Sequence, residues 1–167
     1  MAISIRTHGV SSLAAAAAIA ALALTLTGTA RAVDASAVST LVGTWAGSGR
    51  ITYTDGTSEN IRCTAYNSGG GSELRMAIQC KSDKNPINIR SRLRIDGGRA
   101  SGDWEERSFN ASGTASGSAG AGSLSLGITG SGFSGSMSVS FSKSALNVSI
   151  STSGIAMRRA AMSFGRR

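Results

Sequence analysis

The feature that most constrains this chain is a repeat of two. Ile87, Ile89, Leu93 and Ile95 fall on one face of an extended segment, and Arg90, Arg92 and Arg94 fall on the other. Leu74, Met76, Ile78 and Cys80 alternate with Arg75, Ala77, Gln79 and Lys81. Leu124, Leu126 and Ile128 alternate with Ser and Gly, and so do Phe133, Met137, Val139 and Phe141. Leu146, Val148 and Ile150, then Ala160, Met162 and Phe164, repeat the pattern to the end. Side chains of a strand point alternately to its two faces, so this period predicts half-buried antiparallel strands. The only helical signal after the first 32 residues is a short turn near Ala35 to Leu41.

Turn residues punctuate the runs at Asp55-Gly56, across 67–72 and at Asp96-Gly97-Gly98. These links are too short for parallel crossovers. The expected fold is all-β, an antiparallel meander of about nine or ten strands curled into a barrel or half-barrel. The expected spans are 43–53, 58–66, 73–81, 87–95, 99–109, 111–118, 122–129, 133–142, 145–151 and 156–165. The stretch 110–136 is rich in Gly, Ser and Ala and competes with a flexible linker reading. Its retained period favours strands, with fraying expected around 117–122. In the first hairpin, a two-residue loop would pair Arg50 with Ile61 and mix the faces. A three-residue loop pairs Ile51 with Ile61 and Gly49 with Cys63. It collects Trp45, Ile51, Ile61, Cys63 and Ala65 on one apolar face.

The N-terminus reads as an export signal. Arg6 and His8 precede an apolar run from Leu13 to Leu26, and TGTARA supplies small residues at Ala30 and Ala32. The run is shorter than a bilayer span, which needs about 20 residues. The expected division is a leader at 1–32, a lead-in at 33–42, one β domain at 43–165 and a basic tail at 166–167. The product would be exported to the periplasm or outside the cell, with no membrane span in the mature chain. Cys63 and Cys80 are the only cysteines. In an oxidising compartment their default is one structural disulfide.

Chemistry is bounded mostly by what is missing. The single histidine, His8, lies in the leader. The remainder cannot build a Ser-His-Asp or Cys-His site and lacks the commonest metal ligand. No catalytic residue, metal or cofactor is therefore expected. Loss of Arg6 and Arg31 leaves fifteen basic residues against nine acids, a net charge of +6. No aromatic stripe interleaves the cations, so nucleic acid is not an expected partner.

Asp103 and Glu105 share a face and are the one candidate pair for a carboxylate-based hydrolase. A Gly97-Gly98 turn, however, sets Arg92 against Asp103 and Arg90 against Glu105 in a charge ladder. Glu106 shares the inward face of Trp104. Its candidate partners are Arg158 or Arg159, or the hydroxyls of Tyr53 and Tyr66. The alternatives are a carboxylate reaching water at a strand end and a polar anchor in a ligand cavity.

Gly43-Thr-Trp45 resembles the Gly-x-Trp opening of lipocalin-like barrels. There the tryptophan plugs one end against an arginine from a late strand, a part open here to Arg158 or Arg159. WAGSGRITYTDGTSENIRCTAY, Cys80, SGDWEER and the closing strands resemble uncharacterised exported β-rich proteins of rhizobial, alphaproteobacterial type. That resemblance implies export and a β fold and no reaction. The expected function is a non-catalytic binding module for a small apolar ligand. Its site would be Trp45, Trp104, Glu106, Met76, Met137 and Phe141. The alternative is an envelope protein meeting an anionic polymer or acidic protein through Arg90, Arg92, Arg94, Arg99 and Arg107.

Overall fold

The computed structural model describes residues 26–83 and 86–167. The expected leader lies largely outside the described residues. A helix, α1 (Leu26–Leu41), is followed by ten strands. They are β1 (Gly43–Tyr53), β2 (Ser58–Gly70), β3 (Glu73–Lys81), β4 (Ile87–Asp96) and β5 (Arg99–Glu106). Then come β6 (Ala111–Gly120), β7 (Ser123–Gly130), β8 (Phe133–Phe141), β9 (Ala145–Ser153) and β10 (Met157–Arg166). Each strand pairs with the next in antiparallel register, and β1 pairs with β10. The sheet thus closes fully into a barrel, with no free edge.

Inward residues are the apolar set of the sequence pattern, and Leu74, Leu93, Leu124, Val139 and Val148 are buried. Serine, threonine and charged residues face outward, the reverse of a membrane-spanning barrel. Among the described residues, no helix is long and apolar enough to cross a membrane. Cys63 and Cys80 sit directly opposite each other in register and form a disulfide. It closes a loop of sequence separation 17, worth about 3 kcal/mol by loop entropy.

Besides β2 running to Gly70 rather than 66, because its pairing with β3 continues to Gly70 opposite Glu73, the sequence and the structure differ in five places. In the first hairpin, Ile51 pairs with Glu59 and Gly49 with Ile61, two residues from the expected register. The loop is Thr54-Asp55-Gly56, closed by Tyr53 N–H donating to Thr57 O at 2.9 Å. Gly56 takes φ 83°. A three-residue loop of this kind wants its left-handed residue last, which moves the turn one position back. A slip of two keeps every side chain on its face, so the apolar set survives.

Second, the lead-in is a full helix rather than a short turn. Asp34, Ala37, Val38 and Leu41 are all buried. They recur at i, i+3, i+4 and i+7, one helical face.

Third, β5 stops at Glu106, three residues early. The Glu106 carboxylate accepts the N–H of Phe109 at 2.6 Å and of Asn88 at 2.7 Å. It pulls the chain into a turn that ends at Asn110, φ 51°. Neither Arg158, Arg159 nor a tyrosine is its partner.

Fourth, residues 117–120 do not fray; they complete β6. Fifth, the basic tail, though exposed, is tied down, because Arg166 closes β10 opposite Trp45.

Arg166 also corrects the expected partner of Trp45. Its guanidinium lies 4.2 Å from the Trp45 ring centroid, in cation–π range. It donates to Thr40 O at 2.5 Å, Val42 O at 2.8 Å and Lys143 O at 2.7 Å. The first two carbonyls lie at the C-terminal end of α1, where a cation is favoured. Arg158 and Arg159 begin the same strand, at the other end of the barrel. Gly43 makes the contact possible, since a Cβ there would lie 2.5 Å from the Arg166 side chain.

Candidate functional site

The two ends of the interior differ. At one end α1 packs across the barrel against β2, β4 and β6. Asp34 accepts the N–H groups of Gly97 at 2.7 Å and Gly98 at 3.1 Å. Trp45 is 0% exposed and donates from Nε1 to Leu41 O at 2.9 Å. Asn67 Nδ2 donates to the same carbonyl at 3.1 Å. Leu74, Ile95, Ala100, Leu124, Phe141, Leu146 and Phe164 fill this end and are buried. It is sealed.

At the other end several inward side chains stay half-buried, among them Tyr53, Ile89, Trp104, Ile128, Phe133, Met137 and Met157, while Ile51, Ile61 and Ile150 are buried there. No helix crosses this end among the described residues. Trp104 lies on the inner wall opposite Gly113, and the next residue in that row, Gly130, leaves room for its ring, since a Cβ there would lie 3.0 Å from it. It meets Phe133 with ring centroids 5.4 Å apart and tilted planes, a favourable aromatic geometry. Its Nε1 donates to Thr114 O and Thr129 O, each at 3.2 Å. On the turns around this mouth, Phe109 is 59% exposed and Ile155 38% exposed.

One polar pair is built into the mouth. Tyr53 donates its hydroxyl to Glu59. The Tyr53 pKa is pushed from 10.0 up to about 12. Burial is the largest cause, followed by the Glu59 hydrogen bond and the negative charges of Glu59 and Asp55. The hydroxyl therefore stays neutral and remains a donor across ordinary pH.

The expected site residues divide between the two ends. Trp45, Met76 and Phe141 belong to the packed core. Trp104 and Met137 line the open mouth. Glu106 is buried next to that mouth, with both oxygens committed to backbone N–H groups as above. Sequence reasoning missed Asp34 and Arg166, and it missed the Tyr53–Glu59 pair. A helical repeat containing Asp34 was a readable signal, hidden because one member is charged and one is alanine. The Arg166 contact carried no local signal.

On the outer wall, Arg90 stands opposite Glu105, Arg92 opposite Asp103 and Asp96 opposite Arg99. Glu73 stands opposite Arg94. Arg94 reaches Asp96 at 3.7 Å and Arg107 reaches Glu105 at 3.9 Å. The expected arginine face is thus a lattice of mixed sign, and Asp103 and Glu105 stand on it, outside the barrel.

No protein-family model matches the chain, and no curated protein matches it. Solved structures share its fold. Rv2717c from M. tuberculosis aligns with a TM-score of 0.62 at 15% identity, over 78% of this chain and 95% of its own. The S-type phycobiliprotein lyase CPES from Guillardia theta aligns with a TM-score of 0.55 at 12% identity, over 78% and 89%. The chain is similar to both as a lipocalin-like barrel, and at these identities the likeness is one of fold.

Proposed function

We propose that this protein is an exported, non-catalytic binding module that holds a small apolar ligand in the open end of its barrel. The observation that carries this reading is the asymmetry of the interior. One end is packed shut by α1 and Trp45, while Tyr53, Trp104, Phe133 and Met137 keep accessible apolar surface at the other. Apolar pockets with a few placed polar groups are the usual form of small-molecule sites. The ligand's apolar body would lie against Trp104, Phe133 and Met137, and its polar end would meet Tyr53. The rim residues Phe109 and Ile155 give it an apolar approach. The fold shared with a phycobiliprotein lyase supports a ligand-handling barrel and carries no ligand identity.

The non-catalytic reading rests on the residues that remain. The only histidine is in the expected leader, both cysteines are paired, and Asp103 and Glu105 stand among arginines on the outside. The expected cut after Ala32 falls inside α1 and shortens it. Asp34, Ala37, Val38 and Leu41 all follow the expected cut after Ala32, so processing leaves them in place.

Native mass spectrometry of protein purified from its own secretion route tests the reading. We expect a chain beginning at Val33 carrying a co-purified apolar ligand. The neutral probe phenylnaphthylamine gives a second readout. In a Trp45→Phe variant, only Trp104 emits, and the probe quenches it. In a Trp104→Phe variant, only Trp45 emits, behind the plug, and quenching is several-fold weaker. No bound ligand together with equal quenching of the two tryptophans overturns the proposal.

A further inference from the structure

A groove of about 620 Å³ crosses the outside of β1 to β4. One row of the register runs along its floor. Ala46 stands opposite Thr64, Thr64 opposite Gln79, and Gln79 opposite Asn88. In the next row Arg62 stands directly opposite Lys81. Arg167 adds a third cation on the other side of the floor, where its N–H donates to Thr44 O at 2.9 Å. Among the described residues, no Asp or Glu side chain lines the groove. The ion pairs within 4.0 Å among the described residues use other cations, namely Arg75, Arg94 and Arg107.

Three further observations concern this groove. Like charges directly opposite on neighbouring strands repel; Arg62 and Lys81 form such a pair, as Arg75 and Arg92 do, but with no acid beside them in the groove. Asn88 has its Oδ1 buried without a hydrogen-bond partner, and a buried polar atom in that state calls for one. The Cys63–Cys80 disulfide lies one residue from each of the paired cations and holds their strands together. A rigid pair loses less freedom when it binds.

We infer that this outer groove binds an acidic saccharide, a sugar bearing a carboxylate or phosphate. Arg62, Lys81 and Arg167 take the anion, and Thr64, Gln79 and Asn88 take the hydroxyls. The site is independent of the barrel interior and differs from the arginine row of β4, where Arg90 and Arg92 have Glu105 and Asp103 as register neighbours.

Calorimetric titration of the processed protein with an oligogalacturonate, a hexose phosphate and an uncharged oligosaccharide of similar length tests it. We expect binding of at least one acidic sugar that weakens as salt rises. An Arg62→Ser, Lys81→Ser double variant should lose at least tenfold in affinity. An Arg90→Ser, Arg92→Ser variant should stay within about twofold. Because removing either cation relieves repulsion, Arg62→Ser should not lower the melting temperature. Whichever acidic sugar binds identifies the source of the anion. Binding of neither acidic sugar, equal binding of the uncharged one, or unchanged affinity in the first double variant overturns the inference.

Discussion

The barrel's two ends are made from the same alternating strands, yet one is a packed core and the other a mouth. The difference comes from what lies across each end. At the sealed end, α1 brings Ala37, Val38 and Leu41 onto Trp45. Its polar groups are answered one by one, Asp34 by the Gly97-Gly98 turn and the last carbonyls by Arg166. At the mouth no element covers Trp104, Phe133 and Met137 among the described residues, and Tyr53 with Glu59 is a polar pair between side chains. The same residue type therefore carries two tasks. Trp45 is structural mass, and Trp104 is accessible surface.

The sharpest way to break this contrast is to truncate the two tryptophans in turn. Trp45→Ala should cost about 3–5 kcal/mol, the usual range for emptying a large buried site. Trp104→Ala should cost about 0.5–1.5 kcal/mol for its Phe133 pairing, plus a part-burial term well below that of Trp45. Urea unfolding of the two variants measures this, and equal losses would erase the distinction between core and mouth. A smaller effect isolates the plug. Asp34→Ala removes the charged acceptor shared by the Gly97 and Gly98 N–H groups and should cost about 1–3 kcal/mol. Amide exchange should speed up at Gly97 and Gly98 while β7 to β9 stay protected. Uniform exchange would mean that α1 does not act as a cap.

The smallest effect lies at the mouth and depends on pH. The folded chain holds the Tyr53 proton more tightly than the unfolded chain, with a pKa of about 12 against 10.0. The associated stabilisation is complete below pH 10 and is lost as pH rises from about 10 to about 12. In Tyr53→Phe, the urea midpoint should lose that dependence over the same window. An unchanged pH profile would place the Tyr53 hydroxyl in ordinary solvent.

The strands were almost fully legible, because a period of two states both the element and its inward face. The Arg90–Glu105 and Arg92–Asp103 pairings were legible too, since a two-residue glycine turn leaves one register. The first hairpin was misjudged by two residues. Its faces came out right and its turn did not, because parity is written in the hydrophobic pattern, whereas turn position depends on which residue takes positive φ. The site was half legible. Trp104 and Met137 lie at the mouth, but Trp45, Met76 and Phe141, which share their inward pattern, are core. Alternation says which way a side chain points and says nothing about its height along the barrel axis.

From its sequence alone this chain is committed to inward-facing apolar strands, short antiparallel links and a Cys63–Cys80 staple, because each of these is specified by residues near one another or by a repeat. Tertiary structure alone decided that β1 meets β10, that Arg166 rather than Arg158 or Arg159 covers Trp45, and that one end is shut while the other stays open. Those outcomes depend on pairing the first strand with the last and on where a helix comes to rest. No short stretch of sequence encodes the distance between such parts, because it is set only when all ten strands have closed.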